Sequence, residues 1–116
     1  MKANELRIGN LITSAGINGI VTWEILRIIE DNPIFHNYKL IRLTEDFLKK
    51  NGFAFDGLYF SNEKYGVDTR NVDMMFFKKG KFGNDCPNII YLCSINYVHE
   101  LQNIYYVLEG IELNVV

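Results

Sequence analysis

His99, Gln102, Asn103 and Tyr106 are one imidazole, two amides and a phenol spaced at i, i+3, i+4 and i+7. A helix through them places all four on one face. Each both donates and accepts hydrogen bonds, and the face carries none of the Lys, Glu and Arg usual on a solvated helix. The chemistry that fits is specific recognition of a polar ligand, a partner or a second subunit. With Asn103 and Tyr106 on the following turns, His99 could anchor a polar ligand or form part of an acid–base pair. With no nucleophile beside it, a fold-stabilising hydrogen bond to a neighbouring strand or loop is the favoured role for His99.

Lys78-Lys79-Gly80-Lys81-Phe82-Gly83 joins three ammonium groups to two glycines. Such a loop can turn backbone N–H groups and charge toward a phosphate. It lacks P-loop spacing, and a solvated hairpin tip explains it more simply. One Trp, seven Tyr and eight Phe offer stacking surfaces for a base-like ring, although core filling accounts for most of them. His36 reads as an exposed loop residue. Asp56, Asp68, Asp73 and Asp85 lie in or beside turns, where Asp is expected. There is no Gly-x-Ser-x-Gly elbow, and Cys86 and Cys93 have no zinc-type partners. The sequence therefore predicts no catalytic residues, no metal, no cofactor and no enzyme. Its predicted ligand-binding residues are His99, Gln102, Asn103, Tyr106, Lys78, Lys79 and Lys81.

The elements that must position these groups are bounded by composition. The chain has 116 residues, 48% hydrophobic, with a net charge of −2. That predicts a single domain over 1–116 with a core of its own. The mixed charge argues against a general nucleic-acid binder, which needs a concentrated basic surface. No apolar run approaches a membrane span, and the N-terminal residues lack a signal-peptide core. The expected location is the cytoplasm of a host cell, with both thiols reduced. Fourteen Ile and thirteen Asn against three Ala favour strands and turns over helices.

Leu6 to Ile12 reads as a strand broken at Gly9, and Ile20 to Glu30 as a long strand whose alternation fails after Ile25. Phe35 to Leu43 reads as a third strand. Thr44 is a predicted N-cap for a two-turn helix that Asn51-Gly52 ends. Phe53 to Phe60, Val72 to Lys78 and Asn88 to Ser94 read as strands. A helix from about Tyr97 to Glu109 follows, capped by Ser94 or Asn96 and stopped at Gly110. It should pack through Leu101, Ile104 and Leu108, and Glu112 to Val116 could add an edge strand. The predicted fold is α+β: a curved antiparallel sheet of five to seven strands with two helices. The N-terminal half is a candidate SH3-like barrel.

Three segments, Glu5-Leu6-Arg7-Ile8-Gly9-Asn10, Leu43 to Leu48 with Gly52-Phe53, and Tyr97 to Tyr105 with Gly110 and Glu112-Leu113, run the length of the chain. In these the chain resembles a family of small proteins encoded by phages and integrated elements of Bacteroidetes. The resemblance implies a mobile-element origin and supplies no reaction. The leading expectation is a phage-encoded, non-enzymatic protein that sequesters a nucleotide-like signalling molecule to counter host defence. Two alternatives stay open: a module that inhibits or adapts a host or phage protein, and a structural accessory of the element.

Overall fold

The computed structural model describes residues 6–14, 17–31, 38–82 and 86–114, with the backbone alone at 81, 82 and 86–88. The fold is α+β, with three helices and two antiparallel sheets. The chain groups into two compact units, one of Met1–Arg42 with Tyr97–Asn114 and one of Leu43–Asn96.

In the first unit, β1 (Leu11–Ser14) lies between β2 (Ile17–Ile20) and β3 (Tyr38–Leu40). Helix α1 (Trp23–Asp31) occupies the stretch expected to be a long strand. The failed alternation was a helical period. Ile25, Leu26 and Ile29 share one face and pack with Leu6, Ile12, Val21, Tyr38 and Leu40. Thr22 Oγ1 accepts the Ile25 N–H at 3.3 Å and starts the helix. The sheet is open, so the barrel expectation is corrected: three strands in the order β2-β1-β3 do not close on themselves. Residues 35–37, part of the strand expected at Phe35, and His36 lie outside the described residues.

The second unit begins with α2 (Glu45–Lys50), where Thr44 Oγ1 accepts the Phe47 N–H at 3.3 Å, as its sequence predicts. Gly52, at φ 89°, makes the left-handed exit. The five-stranded sheet runs β4 (Ala54–Phe55), β5 (Phe60–Ser61), β6 (Tyr65–Asp68), β7 (Met74–Phe82) and β8 (Cys86–Ile95) in spatial order. The single strand expected over Phe53–Phe60 is thus a hairpin. Asp56 Oδ1 accepts the N–H groups of Leu58 and Tyr59, each at 2.9 Å, and folds the chain back. Register divides the sheet into two faces. Phe60, Tyr65, Val67 and Phe76 share one face and are buried, forming the core of this unit with Leu43, Phe47, Leu48 and Phe53. Ser61, Gly66, Asp68, Met75, Phe77 and Lys79 lie on the other.

Helix α3 (Val98–Glu109) returns to the first unit. Its N-cap is Tyr97, not Ser94 or Asn96, and Glu100 accepts the Tyr97 N–H at 3.0 Å. Asn96 instead accepts the Met74 N–H and donates to Asp73. The helix stops at Gly110, as expected. Its buried residues are Val98, His99, Leu101, Gln102 and Tyr105. Leu101 is buried as expected, but Ile104 is half-buried and Leu108 is 43% exposed. The buried stripe is rotated because Gln102 enters the interior with its hydrogen bonds made. Residues 111–114 form no strand, and 115–116 lie outside the described residues. Among the described residues no helix is long and apolar enough to cross a membrane.

Candidate functional site

The polar face of α3 meets the chain's own N- and C-terminal segments. Gln102 is fully buried. Its Oε1 accepts the Leu11 N–H at 2.8 Å and an Asn10 amide N–H at 3.4 Å. Its Nε2 donates to the Leu113 carbonyl at 2.7 Å and to Glu112 at 3.2 Å. Two acceptor sites and two donor hydrogens are thereby filled, which is the capacity of an amide. Asn103 Oδ1 accepts from Asn10 at 2.7 Å and from Arg7 Nε at 3.1 Å. Arg7 also grips Glu112 with both terminal nitrogens, at 2.7 and 3.0 Å, and lies 4.3 Å above the Tyr106 ring. His99 is buried beside the Tyr97 ring. Of the four face residues, Tyr106 is the most exposed. The Arg7–Asn10 segment, the Gln102–Asn103 pair and Glu112–Leu113, distant in sequence, meet in this one network.

Lys78, Lys79 and Lys81 are in β7, not at a hairpin tip. An extended strand sends Lys78 and Lys79 to opposite faces. Pairing of Lys78 with Tyr65 on one side and Ile90 on the other engages the backbone in the sheet. A phosphate nest from successive free N–H groups does not form there. The side chain of Lys81 and the tip at 83–85 lie outside the described residues.

Lys79 instead enters a different constellation, on the sheet face opposite the core of the second unit. A cleft of about 340 Å³ opens there, lined by Asp56, Leu58, Tyr59, Phe77, Lys79 and Ile89. Gly66 makes it possible. Phe77 pairs with Gly66 across the strands, and a Cβ on Gly66 would run into the Phe77 ring. The ring therefore settles on the β6 backbone and forms an apolar floor. Tyr59 and Tyr91 both stand edge-on to it, with centroids at 5.0 and 5.9 Å.

Charge around the cleft is balanced. Arg70 holds Asp68 through Nε at 3.0 Å and Nη2 at 2.9 Å, and its guanidinium lies 5.0 Å from the Tyr59 ring. Arg70 Nη2 also donates to the Tyr59 hydroxyl at 3.4 Å, while Tyr91 donates to Asp68 at 3.2 Å. Arg70 outweighs the desolvation of Asp68 and draws its carboxyl down to about 2. Partial burial, helped by Tyr59 and Asp68, raises the Tyr91 phenol above its ordinary value. Lys79 Nζ donates to the Asn62 carbonyl at 2.7 Å. The N–H groups of Tyr59 and Leu58, with a smaller contribution from Lys79, hold the Asp56 carboxyl below its ordinary value.

Sequence reasoning found Lys79, set Phe77 beside it in the chain and offered Tyr59 among the possible stacking rings, but did not bring these together with Asp56 and Ile89. The usable signals were Asp56-Gly57, a hairpin-turn dipeptide, and a glycine in the middle of β6. Among the described residues no three His, Cys, Asp or Glu side chains gather where they could hold a metal ion. No protein-family model, curated protein or solved structure matches the chain.

Proposed function

We propose that the chain is a small non-enzymatic binding protein whose ligand site is the cleft on the open face of the five-stranded sheet. The observation that carries this reading is the cleft itself: a Phe77 floor, braced Tyr59 and Tyr91 rings, and Lys79 and Asp56 among its lining residues. Its volume lies near the low end of the range for small-molecule sites, about 300–1,000 Å³. Few, well-placed polar groups on an apolar wall are typical of such sites. A nucleotide-like signalling molecule fits this description. Stoichiometric capture of such a molecule would serve a phage against host defence without a catalytic residue. The mobile-element resemblance supports that context.

The test is native mass spectrometry of the protein purified from cells, beside a Tyr59→Ala, Lys79→Ala double variant. The reading expects a retained small molecule on the wild type and its loss from the variant. A clean apo mass for both, with no binding on addition of nucleosides and nucleotides, would overturn it.

A second reading has its own observation. Among the described residues strand β2 is a sheet edge exposed along its whole length, and Trp23, three residues after it in sequence, is 66% exposed. An edge strand with a nearby exposed Trp suits a protein partner that adds a strand. Loss of a co-purifying host or phage protein on Trp23→Ala, with the cleft variant unaffected, would favour it.

A further inference from the structure

Resting on the reading of the cleft as a ligand site, we infer that it takes the uncharged, planar base end of a nucleoside with an amide-type edge, and not a phosphate. Of Arg70 and Lys79, the first is ion-paired and the second is partly engaged. Arg70 is held by Asp68 through two hydrogen bonds, and Lys79 shares the cleft lining with Asp56 while bonding Asn62. A polyphosphate would meet one available ammonium, Lys79, and would face the Asp56 carboxylate.

The remaining groups match a ring. Tyr59 is held between Phe77 and Arg70, so stacking on it requires little further ordering. Its hydroxyl is engaged by Arg70 and by Tyr91, which fixes the ring further. Asp56 commits Oδ1 to the turn, leaving Oδ2 for an incoming N–H. Lys79 uses one ammonium hydrogen on Asn62 and keeps others for a carbonyl oxygen. A carboxylate acceptor and an ammonium donor in one apolar cleft complement adjacent N–H and C=O groups. Guanine, hypoxanthine and uracil carry that edge, and methylation of the ring N–H of guanine removes its donor.

Calorimetric titration of the full chain with guanosine, inosine, uridine, 1-methylguanosine, guanosine triphosphate and pyrophosphate tests this. Guanosine, inosine or uridine should bind at least about tenfold more tightly than 1-methylguanosine, the value of one lost hydrogen bond to a charged group. Guanosine triphosphate should bind no tighter than guanosine, and pyrophosphate alone should not bind. Asp56→Asn, which keeps the turn-forming side-chain oxygen, should weaken guanosine binding and abolish the preference over 1-methylguanosine. Binding by the triphosphate and pyrophosphate with steep salt dependence, but not by nucleosides, would overturn the inference while leaving the cleft a ligand site. So would binding of 1-methylguanosine as tight as that of guanosine, or a retained molecule in native mass spectrometry that is neither nucleoside nor nucleotide. Absence of any bound probe and of any retained molecule would remove the cleft reading as well.

Discussion

Replacing Gln102 with Leu keeps the volume and removes the amide. The Leu11 N–H and the Leu113 carbonyl then lose the partners that Gln102 supplied at 2.8 and 2.7 Å. Leu11 and Leu113 are both buried, so water does not easily replace those bonds. Each orphaned group costs about 1–3 kcal/mol, about 2–6 kcal/mol together. The added apolar side chain returns about 1–2 kcal/mol. At mid-range values the net expectation is a loss of about 2–3 kcal/mol, a large part of a small domain's stability. Urea denaturation followed by circular dichroism reads it as a drop in midpoint at unchanged slope. Amide exchange at Leu11 should accelerate in parallel. Gln102→Glu should be no better, because it removes the donor to Leu113 and sets a second carboxylate beside Glu112. A loss below about 0.5 kcal/mol for Gln102→Leu would refute the account of this face as the chain's own internal network.

Thr44→Ala should cost about 0.5–2 kcal/mol through loss of the Phe47 N–H cap, read by thermal or urea denaturation. Gly66→Ala should force Phe77 off the β6 backbone, lowering stability by about 1–3 kcal/mol and reshaping the cleft, read as lost ligand binding in the fraction that still folds. Asp68, whose folded-state carboxyl is drawn from 3.8 to about 2, stabilises the fold fully above about pH 5, and that stabilisation is lost as pH falls toward 2. Discounted because Arg70 is half-exposed, the shift corresponds to about 1–2 kcal/mol. The difference between the wild-type and Asp68→Asn stability profiles should shrink by that amount across this window.

Much of the frame is readable from local chemistry. Thr44, the flanking acids and lysines, and Gly52 specify α2 without help from elsewhere. Gly110 marks the end of α3 for the same reason. Helix α1 was obscured because Ile20 to Ile25 alternates as a strand would, and only the spacing of Ile25, Leu26 and Ile29 shows a helical period. The burial of Gln102 was not legible either. An amide looks polar on a helical wheel, and its partners, Leu11 and Leu113, lie about ninety residues before it and eleven after. The cleft depends on register. Lys79 and Ile89 become neighbours only when β7 pairs with β8 as it does, and the Asp56 turn reaches them only through the fold of β4 to β7. Periodicity in one strand carries no information about which strand it will face.

The most direct measurement is a heteronuclear NMR titration of the isotopically labelled full chain with guanosine, following every backbone amide. The account predicts that saturable shifts gather at Asp56–Tyr59, Phe77–Lys79 and Ile89, with the amides of Arg7, Asn10 and Gln102–Tyr106 unmoved. Shifts centred on the Gln102–Tyr106 face instead, or no saturable shift at the cleft, would contradict it.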